Sequence, residues 1–166
     1  IYWLWLIQYS FHDLHKSNQE VAYHMWVLGF LEPLRSLNYS IKSNREAGEG
    51  RYDILLTPNK PSDEQYAVML EFKAPPIKGR EKEEDIMNAL EQSANEALQQ
   101  IKNKKYNVEA KDRGCEKILC LGIALYKKYI SIKYTKEINY VASSTSLRLK
   151  GRAIFYRVIN LFLSTK

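Results

Sequence analysis

Two short apolar segments, each carrying an acid near one end, constrain this chain more than any other feature. The first is Gly50-Arg51-Tyr52-Asp53-Ile54-Leu55-Leu56, and the second is Ala67-Val68-Met69-Leu70-Glu71-Phe72-Lys73. Their length and apolar character predict β-strands. The breaker-rich stretch Pro58-Asn59-Lys60-Pro61-Ser62-Asp63-Glu64 between them predicts a reversal, hence a hairpin. Opposed residues of an antiparallel pair have a constant sum of numbers. A turn centred on Ser62 therefore sets Asp53 opposite Glu71, with Cβ atoms ~4.5–5.5 Å apart. Lys73, two residues further on, points to the same face as Glu71. Two carboxylates that close repel unless a cation lies between them, and a divalent metal meets that need.

Such a grouping suits phosphodiester hydrolysis, in which a metal polarises the phosphate and activates water. Mg²⁺ takes carboxylates and backbone carbonyls and keeps several waters. Asp53, Glu71 and the carbonyl of Phe72 are donors of that kind. Lys73 then steadies the attacking water or the developing negative charge. The plainer alternative is a cross-strand ion pair on a solvated face, which is worth little. The apolar runs adjoining both acids argue against such a surface position.

The 166 residues predict one domain spanning the whole chain, large enough for a real core. Hydrophobic residues at 45% and charged residues at 27% are ordinary for a globular protein. The formal charge of +6 agrees with a polyanionic partner, though basicity alone is a weak sign of nucleic acid. Cys115 and Cys120 are five apart on an expected strand, so they are expected on opposite faces and without a disulfide. That fits a reducing compartment, the cytoplasm. No apolar run reaches the ~20 residues of a membrane span. The apolar opening Ile1–Ile7 lacks a basic leader and a cleavage site. With no initial Met, the chain reads as a segment of a longer protein. No nucleophilic serine or cysteine motif, P-loop, zinc finger or dinucleotide fingerprint occurs.

Along the chain the patterns predict helices over 2–14 and 18–36, a strand over 39–43, and a tight turn framed by Gly48 and Gly50. The hairpin follows, then a stiff loop at Pro75-Pro76-Ile77-Lys78-Gly79. A long helix over 82–106 has Ile86, Leu90, Ala94, Ala97 and Ile101 as its buried stripe. Strands over 116–125 and 129–134 and a helix over 145–164 complete the order. A hairpin followed by a strand–helix–strand crossover predicts an α/β fold, a mixed sheet with helices on its faces. Lys102, Lys104, Lys105, Lys111, Arg113, Lys127 and Lys128 could line a path for phosphates. Tyr106, Tyr126 and Tyr129 could stack on bases, although, taken alone, a solvated face with core tyrosines is the better explanation of both sets.

Asp53 followed by Glu71-Phe72-Lys73 resembles the PD-(D/E)xK nuclease superfamily, the restriction-endonuclease-like fold. The stretch Ser43–Leu56, the pair Tyr23-His24 with Leu28-Gly29-Phe30-Leu31, and the stretch Ala97–Tyr106 are similar to one subgroup of it. In that subgroup the nuclease-like domain often ends a larger protein bearing an AAA-ATPase-like domain. The resemblance covers about 18–134 and departs from the family in two respects: Tyr52 stands where a proline usually precedes the first acid, and Tyr106 follows Gln100 at a longer spacing than usual. It implies a core order α-β-β-β-α-β with extra terminal helices, Mg²⁺ or Mn²⁺ as cofactor, and DNA as the likelier substrate. It also implies an accessory acid, for which Glu20 and Glu46 compete, Glu20 ranking slightly ahead. Glu20 equally suits a capping box with Ser17. Gln100 matches a polar position that orients water or phosphate, with Tyr106 as a companion and Gln99 as the alternative. The resemblance further allows a homodimer, a secreted-effector context, or a module on the same fold that binds nucleic acid or protein without cutting.

Overall fold

A computed structural model describes residues 19–47, 50–62, 65–127, 129–138 and 141–150, with the backbone alone at 19, 22, 45–47 and 141–150. The helix expected over 2–14 lies outside these residues. Helix α1 (Gln19–Leu31) buries Tyr23, Val27 and Leu31, which are spaced to share one face. Pro33 cannot continue an α-helical hydrogen-bond ladder. The expected helix over 18–36 accordingly changes to a 3-10 turn at Glu32–Leu37, closed by Asn38 in the left-handed region at φ 69°.

Strands β1 (Tyr39–Ala47), β2 (Gly50–Pro58) and β3 (Ala67–Lys73) follow, each antiparallel to the one before. The pairs Ile54–Leu70, Leu55–Met69 and Leu56–Val68 reproduce the register expected from a turn at Ser62. Helix α2 (Glu83–Asn103) then carries the chain to β4 (Lys117–Tyr126), which lies parallel to β3. A short helix α3 (Val108–Asp112), not anticipated, sits in the connection. Strands β5 (Tyr129–Ile138) and β6 (Val141–Lys150) extend the sheet antiparallel, giving six strands in the order β1-β2-β3-β4-β5-β6.

The mixed sheet has one apolar layer on each side. Against α1 lie Ile54, Leu56, Val68, Leu70, Phe72 and Leu121, among others. Leu55, Met69, Ile118 and Cys120 lie on the other side, with Leu98 and Ile101 of α2. Gly122 sets how closely α2 approaches. A Cβ there would lie inside van der Waals contact with the Ala94 carbonyl and the Leu98 backbone, and 2.8 Å from Leu98 Cβ.

Two expectations need correction. The tail is not helical over Val141–Lys150 but is a strand, because β5 offers a full edge of backbone groups to pair. The rest of the expected helix, from 151 on, lies outside the described residues. Cys115 precedes β4 and escapes its alternation, so Cys115 and Cys120 pack in the same cluster, both as buried free thiols.

Candidate active site

The β2–β3 pairing stops at the apolar pair Ile54–Leu70, and the sheet forks there. The rung that would follow Ile54–Leu70 joins Asp53 to Glu71. In its place each strand offers a carboxylate to the other's backbone. The Phe72 N–H donates to Asp53 Oδ2 at 2.8 Å, and the Asp53 N–H donates to Glu71 Oε2 at 3.4 Å. The two acids are thus brought together as expected, with Asp53 half-buried and Glu71 only 3% exposed.

Helix α2 supplies the next contact. Gln100 Nε2 donates to Glu71 Oε1, so Gln100 holds one of the acids in place. Gln99, the alternative, is exposed. From the opposite side of the sheet, Glu20 in the first turn of α1 brings Oε1 to 3.8 Å from Lys73 Nζ. Ser17, its expected capping partner, lies outside the described residues. Glu46 lies on β1 opposite Arg51, with its side chain outside the described set.

Charge in this cluster is unbalanced, with three carboxylates beside one ammonium. Burial, then the charge of Asp53, pushes the Glu71 carboxyl up to about 8, against the lowering effects of Lys73 and the Asp53 N–H. Burial also raises Asp53, opposed by the Phe72 N–H, His24 and Lys73. Glu20 is raised by burial and by Asp53, with Lys73 acting against both.

His24, buried on α1, belongs to this neighbourhood although the sequence alone assigns it no role at the site. Its ring stacks on Phe72 at 5.9 Å and its Nε2 lies 3.0 Å from Ser43 Oγ. The signal available was the Tyr23-His24 pair itself. Tyr106 and Tyr126, by contrast, are buried and cannot stack on bases. Tyr106 packs edge-on against Tyr52, and the Tyr126 ring lies 5.1 Å from Lys127 Nζ. Part of the expected basic path is committed to acids, since Lys111 pairs with Glu137 at 3.3 Å and Arg113 with Glu109 at 3.6 Å.

A second ionic cluster, with no motif to announce it, adjoins β2. Glu109 of α3 accepts from Lys42 Nζ through Oε1 and from the Tyr52 hydroxyl through Oε2 at 2.9 Å. Burial acts to raise the Glu109 carboxyl. The bonds from Lys42 and Tyr52 and the charges of Lys42 and Arg113 outweigh it and hold the group below its usual range.

The donors at the fork suit a divalent cation. Asp53, Glu71 and the Phe72 carbonyl are hard oxygen donors, and a bound cation would offset the burial that raises both carboxyls and the repulsion that Glu71 feels from Asp53. Among the described residues no group of three or more His, Cys, Asp or Glu side chains is placed to share an ion. That leaves two acids and a carbonyl, a set compatible with Mg²⁺, which keeps waters in its shell.

Comparison with known proteins adds one finding. The family model for the PD-(D/E)XK nuclease superfamily matches residues 18–135. No curated protein and no solved structure matches the chain. The match takes in α1, the β1–β3 meander, the α2 crossover, β4 and most of β5, and the mixed sheet is the restriction-endonuclease-like arrangement. With its match extending over most of its length and across the forked pair of acids, the chain belongs to the PD-(D/E)XK nuclease superfamily.

Proposed function

We propose that this domain is a metal-dependent nuclease that hydrolyses phosphodiester bonds in DNA. The observation that carries the reading is the fork itself, where Asp53 and Glu71 meet at the end of a buried strand pair beside Lys73. Asp53, Glu71 and the Phe72 carbonyl are the groups that would hold Mg²⁺ or Mn²⁺. When bound, the ion supplies Lewis-acid polarisation of the phosphate and a more acidic water. Gln100 keeps Glu71 in place. Lys73 offers an ammonium to the charge that builds on the phosphate oxygens, and Glu20 restrains that ammonium at the mouth of the site. DNA as substrate draws on the +6 charge and on family analogy. An AAA-ATPase-like domain in the parent chain and a homodimer for double-strand cutting extend the same reading.

A second reading has its own support. Both oxygens of Glu71 already accept bonds from the protein, as does Oδ2 of Asp53. A site satisfied internally in this way suits a module that binds without cutting. Cleavage of supercoiled plasmid and single-stranded DNA with Mg²⁺, Mn²⁺ or EDTA separates the two, run beside Asp53→Ala and Lys73→Ala. The nuclease reading expects metal-dependent cutting that disappears in both variants with the circular dichroism unchanged. Cutting retained in both variants would sink the site assignment. No cutting by the wild type, with DNA retarded in a gel, favours the binding module.

A further inference from the structure

The backbone that presents Asp53 is not held by its own ladder. Register pairs join β1 to β2 from Tyr39–Pro58 to Ala47–Gly50, except at Asn44, whose partner in that register would be Asp53. Asn44 adopts φ 49°, the left-handed region that asparagine tolerates better than most residues. The alternation of β2 slips at this break. Leu55 packs on the α2 side and Ile54 on the α1 side, yet Tyr52 joins Leu55 on the α2 side.

Glu109 bridges that gap from outside the two strands. One carboxylate oxygen accepts from Lys42, two residues before Asn44 on β1. The other accepts at 2.9 Å from the hydroxyl of Tyr52, the residue directly before Asp53 on β2. Arg113, one turn further on, brings Nε to 3.6 Å from Glu109 and donates from an Nη to Thr57 Oγ1 at 3.3 Å. Tyr106 braces the Tyr52 ring edge-on at 6.2 Å. Gly50 makes room for that brace, since a Cβ there would sit 2.8 Å from the Tyr106 hydroxyl. A single exposed ion pair would be worth little. Here one partly buried carboxylate makes charge-assisted bonds to both strands on either side of a missing rung, which restrains the strands as well as adding energy.

We propose that Glu109 is a positioning residue for the active site: by tying Lys42 to Tyr52 across the unpaired Asn44–Asp53 rung, it holds the Asp53 carboxylate on the Phe72 N–H. The consequence for chemistry rests on the nuclease reading above, whereas the geometry can be tested without it.

The test follows the Phe72 amide in metal-free, ¹⁵N-labelled protein by hydrogen exchange, alongside Mn²⁺ affinity. The variants are Asp53→Ala, Glu109→Ala and Tyr52→Phe. In Glu109→Ala the protection of the Phe72 N–H should fall to the level seen in Asp53→Ala, while β4–β5 amides such as those of Leu121 and Ile132 keep wild-type protection. Mn²⁺ affinity should fall about 10–100-fold, the usual consequence of removing a group that orients a ligand. Unchanged Phe72 protection in Glu109→Ala overturns the proposal. So does an equal loss across the β4–β5 ladder, which would mark Glu109 as a general stabiliser. Should Glu109→Ala fail to fold, Tyr52→Phe removes only the hydroxyl and must reproduce the loss at Phe72; if it does not, the proposal is wrong. A wild type that neither binds Mn²⁺ nor cuts DNA, yet loses Phe72 protection in Glu109→Ala, refutes the nuclease reading and leaves the positioning role standing.

Discussion

Glu109 on α3 and Glu71 on β3 both reach the Asp53 segment of β2, and both are carboxylates drawn partly or wholly out of water. Their surroundings differ in burial, which is deeper for Glu71, and in the supply of positive charge. Glu109 is met by Lys42, Arg113 and a tyrosine hydroxyl, and its carboxyl is held below the usual range. Glu71 shares a single lysine with Asp53 and Glu20, and its carboxyl rises to about 8. The matched cluster is what a structural clamp requires. The deficient one is costly to the fold unless something else brings charge, and strongly perturbed groups of this kind gather at functional sites. On this account the cost of the fork is accepted for function, and the Glu109 clamp keeps the fork in shape.

The largest effect on both clusters is expected from displacing the helix that serves them. Helix α2 carries Gln100 to Glu71 and leads directly into α3. Gly122→Ala would drive a methyl into the Ala94 carbonyl. The expected cost is about 3 kcal/mol or more, read by urea denaturation, because the clash is with backbone and not a flexible side chain. Wild-type stability in this variant would mean that α2 is not docked as described. A finer break is Gln100→Leu, which leaves Glu71 without its α2 partner. Cleavage should fall about 10–100-fold with little change in melting temperature. An unchanged rate would reduce Gln100 to packing.

The two clusters also predict opposite responses to pH. The Glu71 carboxyl has a folded value of about 8 against 4.5 unfolded. Between those values the folded protein keeps a proton that the unfolded chain has lost. Stability of the metal-free domain therefore falls as pH rises through that window, and the contribution of Glu71 is gone above about 8. Asp53 and Glu20, also raised, act in the same sense. Glu109 is lowered from 4.5, so its contribution is complete above that value and is lost as pH falls through the depressed folded value. Denaturation across pH should show Glu71→Gln flattening the slope between 4.5 and about 8, and Glu109→Gln flattening the acid limb. Slopes unmoved by either change would dissolve the contrast.

Much of the deficient cluster was legible in the sequence, and almost none of the matched one. Asp53 and Glu71 are joined by a short hairpin whose breakers and apolar flanks fix the register, so their meeting follows from local rules. Glu109 lies 67 residues from Lys42 and 57 from Tyr52, and its own helix has five residues with no pattern to read. The slip at Asn44 was equally hidden, since a left-handed residue within a strand leaves no periodicity. The tail failed for a related reason. Leu147 shares helical spacing with apolar residues beyond it, but pairing with β5 decides the conformation of Val141–Lys150, and strand formation depends strongly on such context. Tyr106 and Tyr126 looked available for stacking because burial of an aromatic is set by long-range packing that composition does not reveal.

The role proposed for the fork is to receive a divalent cation between its two carboxylates. Calorimetric titration of Mn²⁺ into metal-free protein tests it most directly, at a pH between 4.5 and about 8 and in two buffers of different ionisation enthalpy. Saturable binding is expected, with release of on the order of one proton as Glu71 ionises to meet the ion, and both signals should be lost in Asp53→Ala. A wild type that takes up no Mn²⁺, or an Asp53→Ala variant that binds it unchanged, would rule out a metal site at the fork.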